Sequence, residues 1–187
     1  MKPYVVAITG ASGVIYGVRL VEVLAEQRIP VELVVSDTAK IVMKEELGSE
    51  ADFKKQSVSI HDLHDFTAPI ASGSYPTAGM VIIPCSMGTL GAIASGLSQN
   101  LIHRAADCTI KEGRKLILVP RETPLSAIHL ENMLKLARLG VKIVPPMPAF
   151  YSAQEKISDL VDFVVGKVLD QMGVPHALYP RWVGKAA

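Results

Sequence analysis

Tyr4-Val5-Val6-Ala7-Ile8-Thr9-Gly10-Ala11-Ser12-Gly13 is a short apolar run that breaks into a turn of small residues. Such a run reads as a buried strand, and Val14, Val18, Val21 and Ala25 follow it at helical spacing. The pattern then recurs along the chain. Residues 31–36, 80–84 and 116–120 are runs rich in Val, Ile and Leu, bounded by Gly, Pro or Ser, and residues 142–145 make a shorter fifth. Strands this continuously apolar fit a parallel sheet covered on both faces. Leu130, Leu134 and Ala137 again have helical spacing, and a last helix is expected over about residues 154–173. Alternating strand and helix predicts an α/β fold with right-handed crossovers, one domain over residues 1–187. Residues 48–59 read as a polar loop or frayed helix end. Residues 68–77, with Pro69, Gly73 and Pro76, are too interrupted for a regular element. The tail over 174–182 is apolar with two prolines and is expected to pack on something.

Composition narrows the classes. The chain has 187 residues, 49% apolar and 20% charged, enough for one domain with a full core. Nineteen basic against eighteen acidic residues leave a charge of +1, which excludes a nucleic-acid binder driven by bulk charge. Aromatics at 5% argue against stacking platforms for single strands. The two cysteines, Cys85 and Cys108, cannot build a disulfide framework and suit a reducing, cytoplasmic compartment. The run before Gly10 is too short for a signal peptide, and no apolar stretch approaches the ~18 residues of a membrane span.

The unusual residues collect where strands end: Gly10-Ala11-Ser12-Gly13, Ser36-Asp37-Thr38, Pro84-Cys85-Ser86-Met87-Gly88-Thr89, Pro120-Arg121-Glu122-Thr123-Pro124 and residues 145–151. In open α/β sheets that edge holds the ligand. The first turn reads either as a phosphate-holding loop at a helix start or as a plain strand-to-helix turn capped by Ser12. Its spacing matches neither the dinucleotide fingerprint nor a Walker A loop. Asp37 stands about where a ribose-binding acid could stand, and Asp37-Thr38 reads equally as a helix cap. A second small-residue turn at Pro84–Thr89 suggests one phosphate plus one flat ring, as in a mononucleotide. Cys85 has no clear catalytic histidine and reads as a small buried apolar residue. Arg104, Asp107 and Lys111 lie along one side of a helix, the pattern of a solvated ion-pair ladder. Arg121-Glu122 is different, because two prolines hold it at a strand's end, where arginine can fork onto a phosphate and glutamate can move a proton. His61 and His64 have helical spacing but no further ligand in pattern, so zinc is not expected. His103 and His129 read as structural residues on helices.

These motifs occur in order, together with Asn100-Leu101-Ile102-His103-Arg104-Ala105-Ala106-Asp107, Leu118-Val119-Pro120-Arg121-Glu122-Thr123-Pro124 and Ile128-His129-Leu130-Glu131-Asn132-Met133. The set closely resembles the UbiX family of flavin prenyltransferases, formerly described as aromatic-acid decarboxylases, over residues 5–182. The resemblance implies a flavodoxin-like or Rossmann-like three-layer sandwich and a dodecamer with active sites between subunits. It also implies a metal-independent reaction. A dimethylallyl group from dimethylallyl phosphate joins N5 and C6 of reduced FMN, phosphate leaves, and the prenylated FMN serves UbiD-type decarboxylases. Gly10, Ala11 and Ser12 resemble the first FMN-binding turn, with Ser12 near the reacting nitrogen. Ser36, the run Ser86, Met87, Gly88 and Thr89, and Arg121 resemble further FMN contacts. Lys111, Glu122, Tyr151 and Lys167 would meet the donor phosphate, gathered from more than one subunit, and Glu46 would assist proton removal from C6. Two residues depart from the usual pattern: Phe66 stands where many members have tryptophan, and Lys167 where many have arginine. A flavoprotein decarboxylase of peptidyl-cysteine or phosphopantothenoyl type would want a catalytic histidine and an Asn-rich motif, which are not found. A cofactor carrier without chemistry would not need Lys111 or Arg121-Glu122.

Overall fold

A computed structural model describes residues 1–151 and 155–184. Six strands, β1 (Tyr4–Ile8), β2 (Val31–Val35), β3 (Val58–His61), β4 (Gly79–Cys85), β5 (Leu116–Pro120) and β6 (Lys142–Ile143), form one parallel sheet in the order β3-β2-β1-β4-β5-β6. The winding reverses between β1 and β4, so their carboxyl ends flank the switch point where doubly wound sheets bind ligands.

Both faces are covered. Val6, Ile8, Leu33 and Val35 pack with α1 (Val14–Glu26), α2 (Asp37–Leu47) and α6 (Ile157–Met172) through Leu20, Leu24, Met43, Val165 and Leu169. On the other face Val5, Ala7, Met80 and Ile82 pack with α3 (Met87–Ala94) and α4 (Leu101–Lys111) through Leu90, Leu101, Ile102 and Ala106. Burial of each such side chain contributes roughly 1.5–3 kcal/mol, so central strands need apolar residues facing both ways.

Four expectations are corrected. Residues 48–59 do not stay irregular to their end, because β3 begins at Val58. It is an edge strand of four residues with Ile60 exposed, so the two-sided apolar signature is missing. Parallel pairing with β2 holds it, together with a 2.5 Å contact from His61 Nε2 to the buried Glu32. His61 and His64 therefore lie on a strand end and in the turn after it, not on a helix. The helix α5 (Ala127–Arg138) forms where expected, yet Leu130 and Leu134 are half exposed and only Leu136 is buried. The apolar spacing thus marks a face this chain does not cover. The last helix starts at Ile157, where Asp159 Oδ2 accepts from the Glu155 and Lys156 backbone N–H groups at 3.0 Å each; residue 154, the expected start, lies outside the described residues.

The tail does pack. Asp170 accepts hydrogen bonds from Tyr179 Oη at 2.7 Å, both Arg181 terminal nitrogens at 2.7 Å, and sits 3.1 Å from His176 Nε2. The Arg181 guanidinium holds the Asp170 carboxyl far below the usual range. Burial, then the Asp170 carboxylate, pushes the Tyr179 phenol up to about 12. A side chain at Gly166 would meet the Tyr179 ring at 2.6 Å, so glycine there admits the tail. The clasp brings Trp182 edge-on to Tyr151, which also meets Phe163 edge-on.

Candidate active site

Every strand runs toward the same edge, so the loops after β1, β2, β4 and β5 surround the switch point. Gly10 is required by close approach, because a Cβ there would lie 2.4 Å from Thr38 Oγ1. Gly13 then turns left-handed at φ 93° and starts α1.

The start of α1 differs from both readings of its sequence. Ser12 is exposed and does not cap the helix; Gly13 is the cap residue and makes no side-chain bond. Glu46, from the last turn of α2, accepts instead from Gly13 N at 2.9 Å and from Val14 N at 3.2 Å. A carboxylate at the positive end of a helix is favourable. It also takes the anion-binding position that the turn alone seemed to offer.

Two other helix starts flank it. Ser36 Oγ accepts from Ala39 N at 3.1 Å and lies 3.1 Å from Thr38 Oγ1, so Ser36 rather than Asp37-Thr38 caps α2. Asp37 pairs with Lys40 at 3.1 Å. Ser86 caps α3, accepting from Thr89 N at 3.3 Å, with its hydroxyl 3.1 Å from Thr89 Oγ1. Both motifs place hydroxyls and backbone N–H groups at helix amino ends, the donors an oxyanion takes. Met87 is partly buried there and Gly88 is exposed. Cys85 beside them is fully buried, and burial pushes its thiol well up, so it is inert.

Arg121 N donates to Cys85 O at 3.2 Å, which fixes the β5 loop beside the β4 loop. Arg121 and Glu122 are both exposed, and the Arg121 guanidinium makes no hydrogen bond or ion pair with the described residues. Glu122 Oε1 accepts from Thr123 N at 2.9 Å. Tyr16, which the sequence reading passed over, lies within the fields of both Arg121 and Glu46; burial raises its phenol, Arg121 opposes this, and Glu46 adds to it. The signal was its place one turn into the helix that follows the glycine loop.

One chain therefore assembles Gly10, Ala11, Ser12, Ser36, Glu46, Ser86–Thr89, Arg121 and Glu122 around the crevice. It does not bring in Lys111. That residue ends α4 at the opposite edge, just before β5 begins, and bonds Glu112 at 2.6 Å rather than extending the Arg104–Asp107 pair. Lys167 is half exposed on α6, 3.9 Å from Asp170. Tyr151 reaches the margin through Phe163, which packs with Tyr16. Of the two structural histidines, His129 does close a capping box with Ser126, whereas the buried His103 Nδ1 has no partner among the described residues.

A family model described as Flavoprotein matches residues 1–169. The flavin prenyltransferase UbiX of Halalkalibacterium halodurans is 53% identical, over 96% of this chain and 92% of that protein. A dodecameric FMN-dependent UbiX-like decarboxylase from Escherichia coli O157:H7 superposes with a TM-score of 0.93 at 48% identity, over 97% of this chain and all of the other. AnUbiX (PadA1), solved with FMN and dimethylallyl pyrophosphate, gives 0.93 at 41% identity, over 99% of both chains. Agreement at about half of all positions, along nearly the full length, goes beyond a shared fold: the chain belongs to the UbiX family of flavin prenyltransferases.

Proposed function

We propose that this protein transfers the dimethylallyl group of dimethylallyl phosphate to N5 and C6 of reduced FMN, releasing phosphate and supplying prenylated FMN to UbiD-type decarboxylases. The observation that carries the reading is the switch-point crevice, where two serine-capped helix starts flank a glycine turn and Arg121, without a side-chain partner among the described residues, stands at the rim. Ser36, Ser86, Thr89 and Arg121 supply donors for one phosphate. Equilibrium titration is expected to give tighter binding of FMN than of NAD or FAD. Tighter NAD binding would overturn this assignment.

Phosphate leaves only when cations and donors hold its developing charge. Tyr151, Lys111 and Lys167 are the groups for that task, and Lys111, at the edge of the sheet opposite Arg121-Glu122, would have to come from another copy. Sites completed between copies, in a homo-oligomer of dodecamer type, would reconcile that placement. The exposed apolar residues Ile128, Leu130, Leu134 and Leu139 on and after α5 give such copies a face to cover. Tyr151 and Phe66 supply aromatic faces for positive charge developing on the allyl group. Two amides leave lone pairs free on the Glu46 carboxylate, so it can anchor the Ser12 turn and still take the C6 proton. Glu122 and the released phosphate are the other candidate bases. We place the activity in the cytoplasm. Inorganic phosphate released only when reduced FMN and dimethylallyl phosphate are both present tests the reaction; release independent of flavin would contradict it.

Lys167→Ala is expected to weaken the prenyl donor roughly ten- to a hundredfold while sparing FMN, the effect of removing one charge-assisted bond. Lys167→Arg should preserve or improve donor binding, since it adds a planar fork. Donor and FMN constants measured separately for both variants decide the matter. An unchanged donor constant in the alanine variant makes Lys167 a partner of Asp170 and nothing more.

A further inference from the structure

At the switch point the main-chain ladder between β1 and β4 stops early. Register runs from Tyr4↔Gly79 to Ala7↔Ile82, and the β4–β5 register shifts between Ile82 and Cys85. Beyond that point one side chain spans the junction. Thr9 is 1% exposed; its Oγ1 donates to Pro84 O at 2.8 Å and accepts from Ser86 N at 2.8 Å. Thr9 N also donates to Pro84 O, at 3.2 Å. The single hydroxyl proton and one lone pair are thus both used, in a site buried from bulk solvent.

We propose that Thr9 is a positioning residue, whose buried hydroxyl locks the start of α3 to the end of β1 and so sets the two flavin-binding turns at their working separation. Thr9 immediately precedes Gly10, so its backbone starts the first turn. Ser86, which it holds, caps α3 and fixes Thr89. Cys85, between the two held residues, receives Arg121 N. Three of the proposed FMN contacts therefore take their relative position from one hydroxyl. The inference rests on the reading that this crevice binds FMN.

Thr9→Val keeps the branched shape and removes the hydroxyl; Thr9→Ser keeps the hydroxyl and removes the methyl. The valine variant is expected to raise the FMN dissociation constant roughly ten- to a hundredfold, because the Ser86 amide loses its acceptor. Serine should stay within about threefold of the parent. Amide exchange in the flavin-free protein tests the staple itself: the Ser86 N–H should be protected in the parent and in Thr9→Ser, and exchange faster in Thr9→Val. Val165→Ala, in the core under α6, serves as a control that lowers thermal stability without touching the turns. It should leave the FMN constant unchanged. Parent-like FMN binding by Thr9→Val, an unprotected Ser86 amide in the parent, or an equal affinity loss in Val165→Ala would each overturn the proposal. Failure of the parent to bind FMN would instead strike the functional reading, while the exchange measurement would still judge the staple.

Discussion

Glu122→Gln is expected to bind FMN like the parent and to lose prenyl transfer by about 10²–10⁴-fold, the usual contribution of a positioned proton-transfer group. The glutamate stands just past the carboxyl end of β5, between Pro120 and Pro124, which hold its backbone at the crevice. One carboxylate oxygen accepts from Thr123 N at 2.9 Å. A glutamine amide oxygen makes the same bond, so the loop and the neighbouring Arg121 keep their places. What the variant loses is the ability to exchange a proton and to place negative charge beside the reacting groups. Turnover near that of the parent would remove Glu122 from the chemistry and leave the released phosphate, or Glu46, as the base.

Gly17→Ala should cost roughly 1–3 kcal/mol of stability, a lowering of the melting temperature by several degrees in a chain of this size. A Cβ at Gly17 would lie 2.4 Å from the Ile83 carbonyl oxygen and 2.9 Å from two atoms of Ile8. The first of these is backbone and cannot rotate away, so α1 must lift from the sheet at the switch point. Alanine's better helix propensity, ~1 kcal/mol, offsets only part of this. Gly88→Ala is the matched comparison, since a Cβ there meets nothing within 4 Å. Calorimetry should find Gly88→Ala as stable as the parent and Gly17→Ala clearly less so. Equal melting temperatures would mean that α1 does not rest on β4 as described.

Those two glycines show what the sequence carried and what it withheld. Both sit in helices after small-residue turns, and nothing in their neighbours separates the one pressed on a strand from the one facing open space. The central strands were legible because burial on both faces favours apolar residues at successive positions, as in Leu116–Pro120. The edge strand Val58–His61 escaped because it has one dry side at most, and Ile60 faces outward. The crevice was legible in outline, since Gly10, Ser86 and Arg121-Glu122 each follow a strand. Its wiring was not. Glu46 reaches Gly13 from 33 residues away, and Thr9 reaches Ser86 across 77, contacts that no local spacing encodes. Lys111 was grouped with Glu122 by family pattern, and its separation became visible only when α4 was seen to end at the opposite edge of the sheet.

The central claim is that this crevice prenylates flavin. Anaerobic incubation of the purified protein with reduced FMN and dimethylallyl phosphate, followed by mass spectrometry of the extracted flavin, tests it most directly. The account predicts a flavin heavier by one five-carbon prenyl unit, formed only when protein and donor are both present. A flavin of unchanged mass, with carbon dioxide released from an added carboxylic acid substrate, would contradict the account and make the protein a decarboxylase.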